Sequence, residues 1–296
     1  MDCPPTTFVL LNPELSSNIS RGRDIARLMQ AAGHDVDHCL LPETVNKNLS
    51  NRILVFHKPR GMEIPKLRCR GIIIDLVDDK RLFYEERISE LIQKGVHGIV
   101  FPNRHSMLRL GKGNAAFGVI HGTSFHIPQS IQRHTRPFCV GYFGSPTEAS
   151  HIQCVGDKLV RANFRNDLLF SGNESKLSKY LANMAACPFH MNIRNKKDKP
   201  PNKTIVAARC GSAIILSRDS GGSEDLLPPD YPYWTKGTEP DDIREALQFA
   251  QDTYLGPVWD KAMVQMKAVV DASTDDKIVD TYVDILFRTV EIANDR

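Results

Sequence analysis

The sequence predicts an α/β protein built in two halves, each a parallel sheet layered with helices. Three observations predict it. Short apolar runs recur along the first part of the chain (FVLL, ILVF, GIIIDL, VHGIVFP, AFGVI), separated by helical or polar stretches. Continuous apolar runs of this length mark strands buried on both faces, as in parallel sheets. After a polar stretch, IPQSIQRHTR, the pattern starts again with FCVGYF, FHMNI and AIILS. At 296 residues there is room for two domains of ordinary size.

Composition narrows the class. The chain is 41% apolar and 25% charged, as in a soluble globular protein. A net charge of +3 is too weak a bias to require nucleic acid, yet it suits anionic ligands or peripheral contact with an acidic membrane surface. The seven cysteines are odd in number and form no C-x-x-C pair, so neither a zinc site nor a disulfide framework is expected. They read as small buried hydrophobes of a reducing compartment. MDCPPTTFVLLNP has no basic leader and reads as a first strand. No run reaches the length of a membrane span, so the expected location is cytoplasmic.

In the first half, Phe8 to Leu11 is a strand, Arg21 to Ala32 an amphipathic helix ended by Gly33, and Asp35 to Leu41 a second strand. Ile53 to Phe56 is the next strand, with His57, Lys58 and Arg60 at its end. Ligands of open α/β sheets bind beyond the carboxyl ends of strands, so His57, Lys58 and Arg60 are candidates for an acceptor or phosphate contact. The plain alternative is a solvated basic turn. Gly71 to Leu76 carries Asp75 and leads to Asp78 and Asp79. A carboxylate there can act as a general base toward a hydroxyl. Asp79 reads as a cap for a helix over Lys80 to Lys94, and Asp78 stays open between cap and base. Val96 to Pro102 is a strand with Asn103, Arg104 and His105 at its end. Ala116 to Ile120 closes the half, followed by His121, which reads either as structural or as an acceptor contact.

In the second half, Phe138 to Phe143 is a strand that ends at Gly144 and Ser145. Asp157 to Ala162 and Leu168 to Phe170 read as short strands, Glu174 to Met184 as a helix, and Phe189 to Ile193 as a strand. His190 in it points either way. The richest stretch follows. Arg194, Lys196, Lys197, Lys199 and Lys203 crowd one loop, and Pro200-Pro201 precede a helix over Lys203 to Arg209. Asn202 is its expected N-cap and Cys210-Gly211 its stop. Ala213 to Ser217 is a strand, and Gly221-Gly222 with Glu224 and Asp225 start a second helix. Helix starts present free N–H groups, glycines let backbone approach a ligand, and basic groups neutralise a diphosphate. Arg194 is the expected phosphate clamp and Lys203 the compact charge beside it. A surface charge run beside an ordinary turn is the plain alternative. Asp230 to Trp234 reads as an edge strand. Helices follow over Pro240 to Tyr254, Leu255 to Val270 and Lys277 to Ile292, the last with a docking stripe from Val279 to Val290.

PPNKTIVAARCGSAIILSRDSGGSEDLL resembles the donor segment of nucleotide-sugar glycosyltransferases of the GT-B fold, of the group 1, family 4-like kind. Lys199, Pro201, Asn202 and Lys203 match its K-P-x-N-K run; Ala207, Ala208 and Gly211 match its small-residue helix. Gly221 and Gly222 match its glycine pair, followed by Glu224 or Asp225 as the ribose acid. VGYFGS resembles the glycine loop of the second domain, at Gly144 and Ser145. The chain departs from the family's paired-Glu motif, since no acid lies between Lys203 and Arg209.

The resemblance implies two Rossmann-like domains facing a cleft, with C-terminal helices crossing back. It places an acceptor domain at 1–127, a linker at 128–136, a nucleotide-sugar domain at 137–255 and the crossing helices at 256–296. It implies transfer of a hexosyl or related sugar from a nucleoside diphosphate to a hydroxyl of a glycan or lipid-linked glycan. Gly144, Ser145, Arg194, Lys199, Asn202, Lys203, Gly221, Gly222, Glu224 and Asp225 would hold the donor. His57, Arg60 and His121 would meet the acceptor, and Asp78 would act as base. No metal and no cofactor beyond the donor are expected. The alternatives are a non-catalytic nucleotide-sugar-binding protein of the same fold and a sugar-nucleotide epimerase. A nucleic-acid partner is not expected, because the basic loop lacks interleaved aromatics.

Overall fold

The computed structural model describes residues 3–11, 19–57, 67–77, 85–119, 137–144, 160–164, 174–194, 197–218 and 220–295. The chain divides into two compact units: Met1–His126 with Asp198–Pro200 and Asp275–Arg296, and Ile127–Lys197 with Pro201–Thr274.

The first unit is a parallel six-stranded sheet. Its strands are β1 (Thr6–Leu10), β2 (Val36–Leu40), β3 (Ile53–His57), β4 (Gly71–Asp75), β5 (Gly98–Phe101) and β6 (Ala116–Val119). They are ordered β2-β1-β3-β4-β5-β6. β1, β3, β4 and β5 are buried along their whole length, which is why they read as unbroken apolar runs rather than alternating ones. α1 (Asp24–Ala31) follows a wide turn of π type at Ile19–Arg23. α2 (Glu85–Gln93) buries Ile88 and Leu91.

The segment after β5 departs from expectation. Arg104 and His105 do not extend from a strand end; they open α3 (Arg104–Leu110). Asn103 is its N-cap, its side chain accepting from the Ser106 N–H at 2.8 Å. An Asn in extended backbone satisfies an otherwise orphaned helix donor.

The second unit is a parallel four-stranded sheet of β7 (Val140–Gly144), β8 (Val160–Phe164), β9 (Phe189–Asn192) and β10 (Ala213–Leu216), ordered β10-β9-β7-β8. Its helices are α4 (Glu174–Ala185), α5 (Asn202–Arg209), α6 (Pro240–Thr253) and α7 (Pro257–Ala272). Pro201, not Asn202, holds the N-cap position of α5 and makes no side-chain capping bond. Gly211 ends α5 at φ 64°, a backbone region that favours glycine. Gly221-Gly222 starts no full helix, only a 3-10 turn at Gly222–Asp225.

The expected strand at Asp230 to Trp234 is instead an irregular cover for the edge strand β10. Tyr231 Oη accepts from Ile214 N–H at 2.9 Å and donates to Ile214 C=O at 3.0 Å. Thr235 N–H donates to Leu216 C=O, and Leu216 N–H to Tyr233 C=O. These bonds occupy the edge groups that would otherwise invite pairing with another chain.

The last helix, α8 (Asp275–Asn294), belongs to the first unit. It lies against β4, β5, β6 and α1. Ile278, Val279, Tyr282, Ile285, Leu286 and Val290 form the buried stripe, packed in one cluster with Phe8, Val55, Ile73 and Val100. Glycines let it come close. A Cβ on Gly98 would lie 2.6 Å from Thr289 Oγ1, and one on Gly118 would overlap the Ile285 side chain.

Candidate functional site

Each sheet has a point where its strand order reverses. In the second unit the chain goes from β7 to β8 on one side, then to β9 on the other, so the order reverses between β7 and β9. Ligands of open α/β sheets bind at such a reversal, beyond the strands' carboxyl ends. β7 ends there at Gly144 and β9 at Asn192.

Lys203, from the first turn of α5, reaches this place. Its Nζ lies 4.4 Å from the centroid of the Tyr142 ring. A Cβ on Gly144 would sit 2.8 Å from Lys203 Nζ and 2.8 Å from Tyr142 Oη. The ammonium therefore occupies the space that a side chain at residue 144 would fill.

The loops after β9 and β10 are stitched together by buried hydroxyls. Arg194 N–H donates to Ser217 Oγ at 3.1 Å, and Ser217 Oγ donates to Arg194 C=O at 2.7 Å. Ser220 Oγ donates to Asn192 C=O. Thr204 and Ser223 hydroxyls lie 2.8 Å apart, tying α5 to the 3-10 turn. Ser223 Oγ also donates to Ser220 C=O. Gly221 sits at φ 72°, which a side chain would strain. The result is a rigid polar floor that carries Gly221, Gly222, Glu224 and Asp225.

On that floor Glu224 is exposed, 3.9 Å from Arg218, whose guanidinium lies over the Trp234 ring at 5.1 Å. Asp225 is half-buried. Arg194 turns back, its Nε donating to Asn192 Oδ1 at 2.7 Å. Asn202 is half-buried, and its Oδ1 has no hydrogen bond among the described residues. Lys199 falls in the short segment that belongs to the first unit, where Asn103 Nδ2 donates to its carbonyl at 3.0 Å. Ser106 and Arg109 donate to Asp198 beside it. Ser145 lies outside the described residues.

In the first unit the order reverses between β1 and β3, and His57 ends β3 there. It is no solvated basic turn. His57 is fully buried, stacked on Phe8 at 5.6 Å with 11° between the rings. Its Nδ1 lies 3.4 Å from Asp75 Oδ2, and neither ring nitrogen makes a well-aligned hydrogen bond among the described residues.

Asp75 is the hub of this region. Arg21 Nε and Nη2 donate to its two oxygens, both at 3.1 Å. Tyr282 Oη donates to Oδ2 and Val77 N–H to Oδ1. Burial alone would raise the Asp75 carboxyl; the Arg21 guanidinium, His57 and the Val77 N–H outweigh it and hold it down at about 2. The bond from Val77 also supports that residue's φ of 51°, an outlier for a β-branched side chain. Asp75 is thus an ionised structural anchor, not a carboxylate free to take a proton from a hydroxyl. Asp78, Arg60 and His121 lie outside the described residues.

His190 resolves as core. It is buried against the Phe143 ring, with Nε2 2.9 Å from Met184 C=O. Among the described residues no group of three metal-ligating side chains occurs, and no helix is long and apolar enough to cross a membrane. Tyr142, Ser217, Ser220 and Ser223 escaped the sequence reading. For Tyr142 the signal was its place two residues before a glycine at the end of a strand.

No protein-family model and no curated protein matches the chain. Solved structures do. A glycosyltransferase from Rickettsia africae superposes with a TM-score of 0.65 at 8% identity, covering 97% of this chain and 99% of that one. AviGT4, a glycosyltransferase involved in avilamycin A biosynthesis, gives 0.62 at 13% identity over 97% and 98%. Anabaena HepE in complex with UDP gives 0.58 at 10% identity over 97% and 100%. At such identities the likeness is one of fold. The two parallel α/β units, with the last helix returned to the first, are the GT-B architecture of these glycosyltransferases.

Proposed function

We propose that the protein is a glycosyltransferase that moves a sugar from a nucleoside diphosphate donor to a hydroxyl acceptor. One observation carries the reading: Lys203 Nζ stands at the carboxyl end of β7, at the strand-order reversal of the second sheet. A cation fixed there meets negative charge that grows on a departing diphosphate. The fold shared with UDP-bound HepE supports the same choice, and makes UDP the first nucleotide to test.

In this reading the second unit holds the donor. Lys203 and the backbone at Gly144 and Ser145 face the diphosphate, with Arg194 and Asn202 around it. Gly221 and Gly222 let the nucleotide approach, and Glu224 or Asp225 accepts from the ribose hydroxyls. The first unit shapes the acceptor pocket with Arg60 and His121, over the buried His57, and Asp78 serves as base. The acceptor is a glycan or lipid-linked glycan hydroxyl, met in the cytoplasm or at a membrane surface.

A thermal-shift panel of UDP, GDP, dTDP and their sugars tests the reading, because a ligand that binds only the folded state raises the melting temperature by mass action. One nucleotide series should stabilise the protein. No shift with any member would count against a donor site. A second reading, a binding protein without transfer, is favoured by the lack of any acid in the first turn of α5. Nucleotide binding with neither donor hydrolysis nor transfer would select it.

A further inference from the structure

We infer that Tyr142 is a positioning residue: its ring is the seat that holds the Lys203 ammonium in place before any diphosphate arrives. The inference rests on the donor-site reading above and adds to it a residue and a physical device. Residues two apart on a strand share a face, so Tyr142 and Gly144 of β7 both point toward Lys203. Tyr142 is 1% exposed and belongs to the core cluster with Val140, Met191 and Ile205, so its ring is held by packing. The ammonium lies 4.4 Å from the ring centroid, within the range where the negative face of an aromatic attracts a cation. Gly144 keeps the rest of the space open, since its Cβ would press on Lys203 Nζ.

The consequence is preorganisation. A lysine in solution samples many rotamers, and holding one for a ligand costs affinity. Here the ring and the missing side chain fix the charge in advance. The device acts only on groups that meet the ammonium, which means phosphate oxygens. It contributes nothing to the base or the ribose.

The test compares UDP with uridine by isothermal titration of the full chain. Y142L should weaken UDP about tenfold, the scale of a desolvated cation–π contact. It should leave uridine binding unchanged, which a merely structural role would not do. Y142F keeps the ring and should restore UDP affinity. G144A should weaken UDP selectively too, and it carries the test with Y142F if Y142L fails to fold. The double variant Y142L/K203A should bind UDP no more weakly than K203A alone, because the seat acts through the lysine. Equal losses for UDP and uridine, unchanged UDP binding in both Y142L and G144A, or fully additive losses in the double variant would overturn the seat while leaving the donor site standing. A folded wild type that binds no nucleoside diphosphate would overturn the donor-site reading, and the seat with it.

Discussion

Tyr282, in the last helix, donates to Asp75 at the end of β4 across 3.1 Å, though 207 residues separate them in sequence. Both are fully buried. The bond joins α8 to the Arg21–Asp75 pair and makes the chain's end part of the first unit's core. Burial and the neighbouring carboxylate push the Tyr282 hydroxyl well above its ordinary range, so it stays a donor.

Tyr282→Phe should therefore destabilise the first unit by about 1.5–3 kcal/mol, the worth of a hydrogen bond to a charged group. Asp75→Ala should cost more, about 3–5 kcal/mol, because it leaves Arg21 charged and buried without its carboxylate. Urea titration followed by far-UV circular dichroism reads both, and Tyr282→Phe as costly as Asp75→Ala would contradict the ranking.

Acid should act on the same pair. Asp75 is held at about 2, below the ~3.9 of an unfolded chain. Its contribution is complete above about pH 4 and is lost as pH falls through about 2, amounting to about 2 kcal/mol. In Asp75→Asn that part of the acid sensitivity should vanish. Melting temperatures between these limits check it, and parallel profiles for both proteins would contradict it.

Gly98→Ala and Gly118→Ala should each cost about 1–3 kcal/mol by forcing α8 away from β5 and β6. Calorimetry of the two variants reads the loss. Wild-type stability in both would mean that the helix has room that the packing denies.

Arg209 is buried in α5, and its Nη2 donates to Ser273 C=O at the end of α7 at 2.6 Å. A cation there satisfies a terminal carbonyl and suits the negative end of the helix dipole. Arg209→Met should destabilise the second unit by about 1.5–3 kcal/mol, measured by urea titration, with the first unit's transition unchanged.

The strands were legible because full burial leaves no polar alternation to confuse them, as in GIIIDL and AIILS. Gly211 marked the end of α5 for a physical reason, its positive φ. α3 was missed because RHSMLRL is short and weakly patterned, and Asn103 as a cap looks like any polar loop residue. The edge cover at Tyr231 was read as a strand because aromatic composition suggests β structure, whereas the bonds it makes depend on where β10 lies. Lys203 was visible from its proline-preceded helix start. Tyr142 showed only as a ring two residues before a strand-end glycine; that the Lys203 ammonium sits over it follows from the fold. His57 looked like part of a basic turn; its burial follows from Phe8 and Asp75, which only the sheet brings beside it.

The central claim is that Lys203 stands at a nucleoside diphosphate site. Titration of UDP into the wild type and Lys203→Ala tests it most directly. The account predicts binding by the wild type and a loss of at least about tenfold in the variant, as for removal of a charged hydrogen bond. Equal affinity in two folded proteins, or none in the wild type for any nucleoside diphosphate, would contradict it.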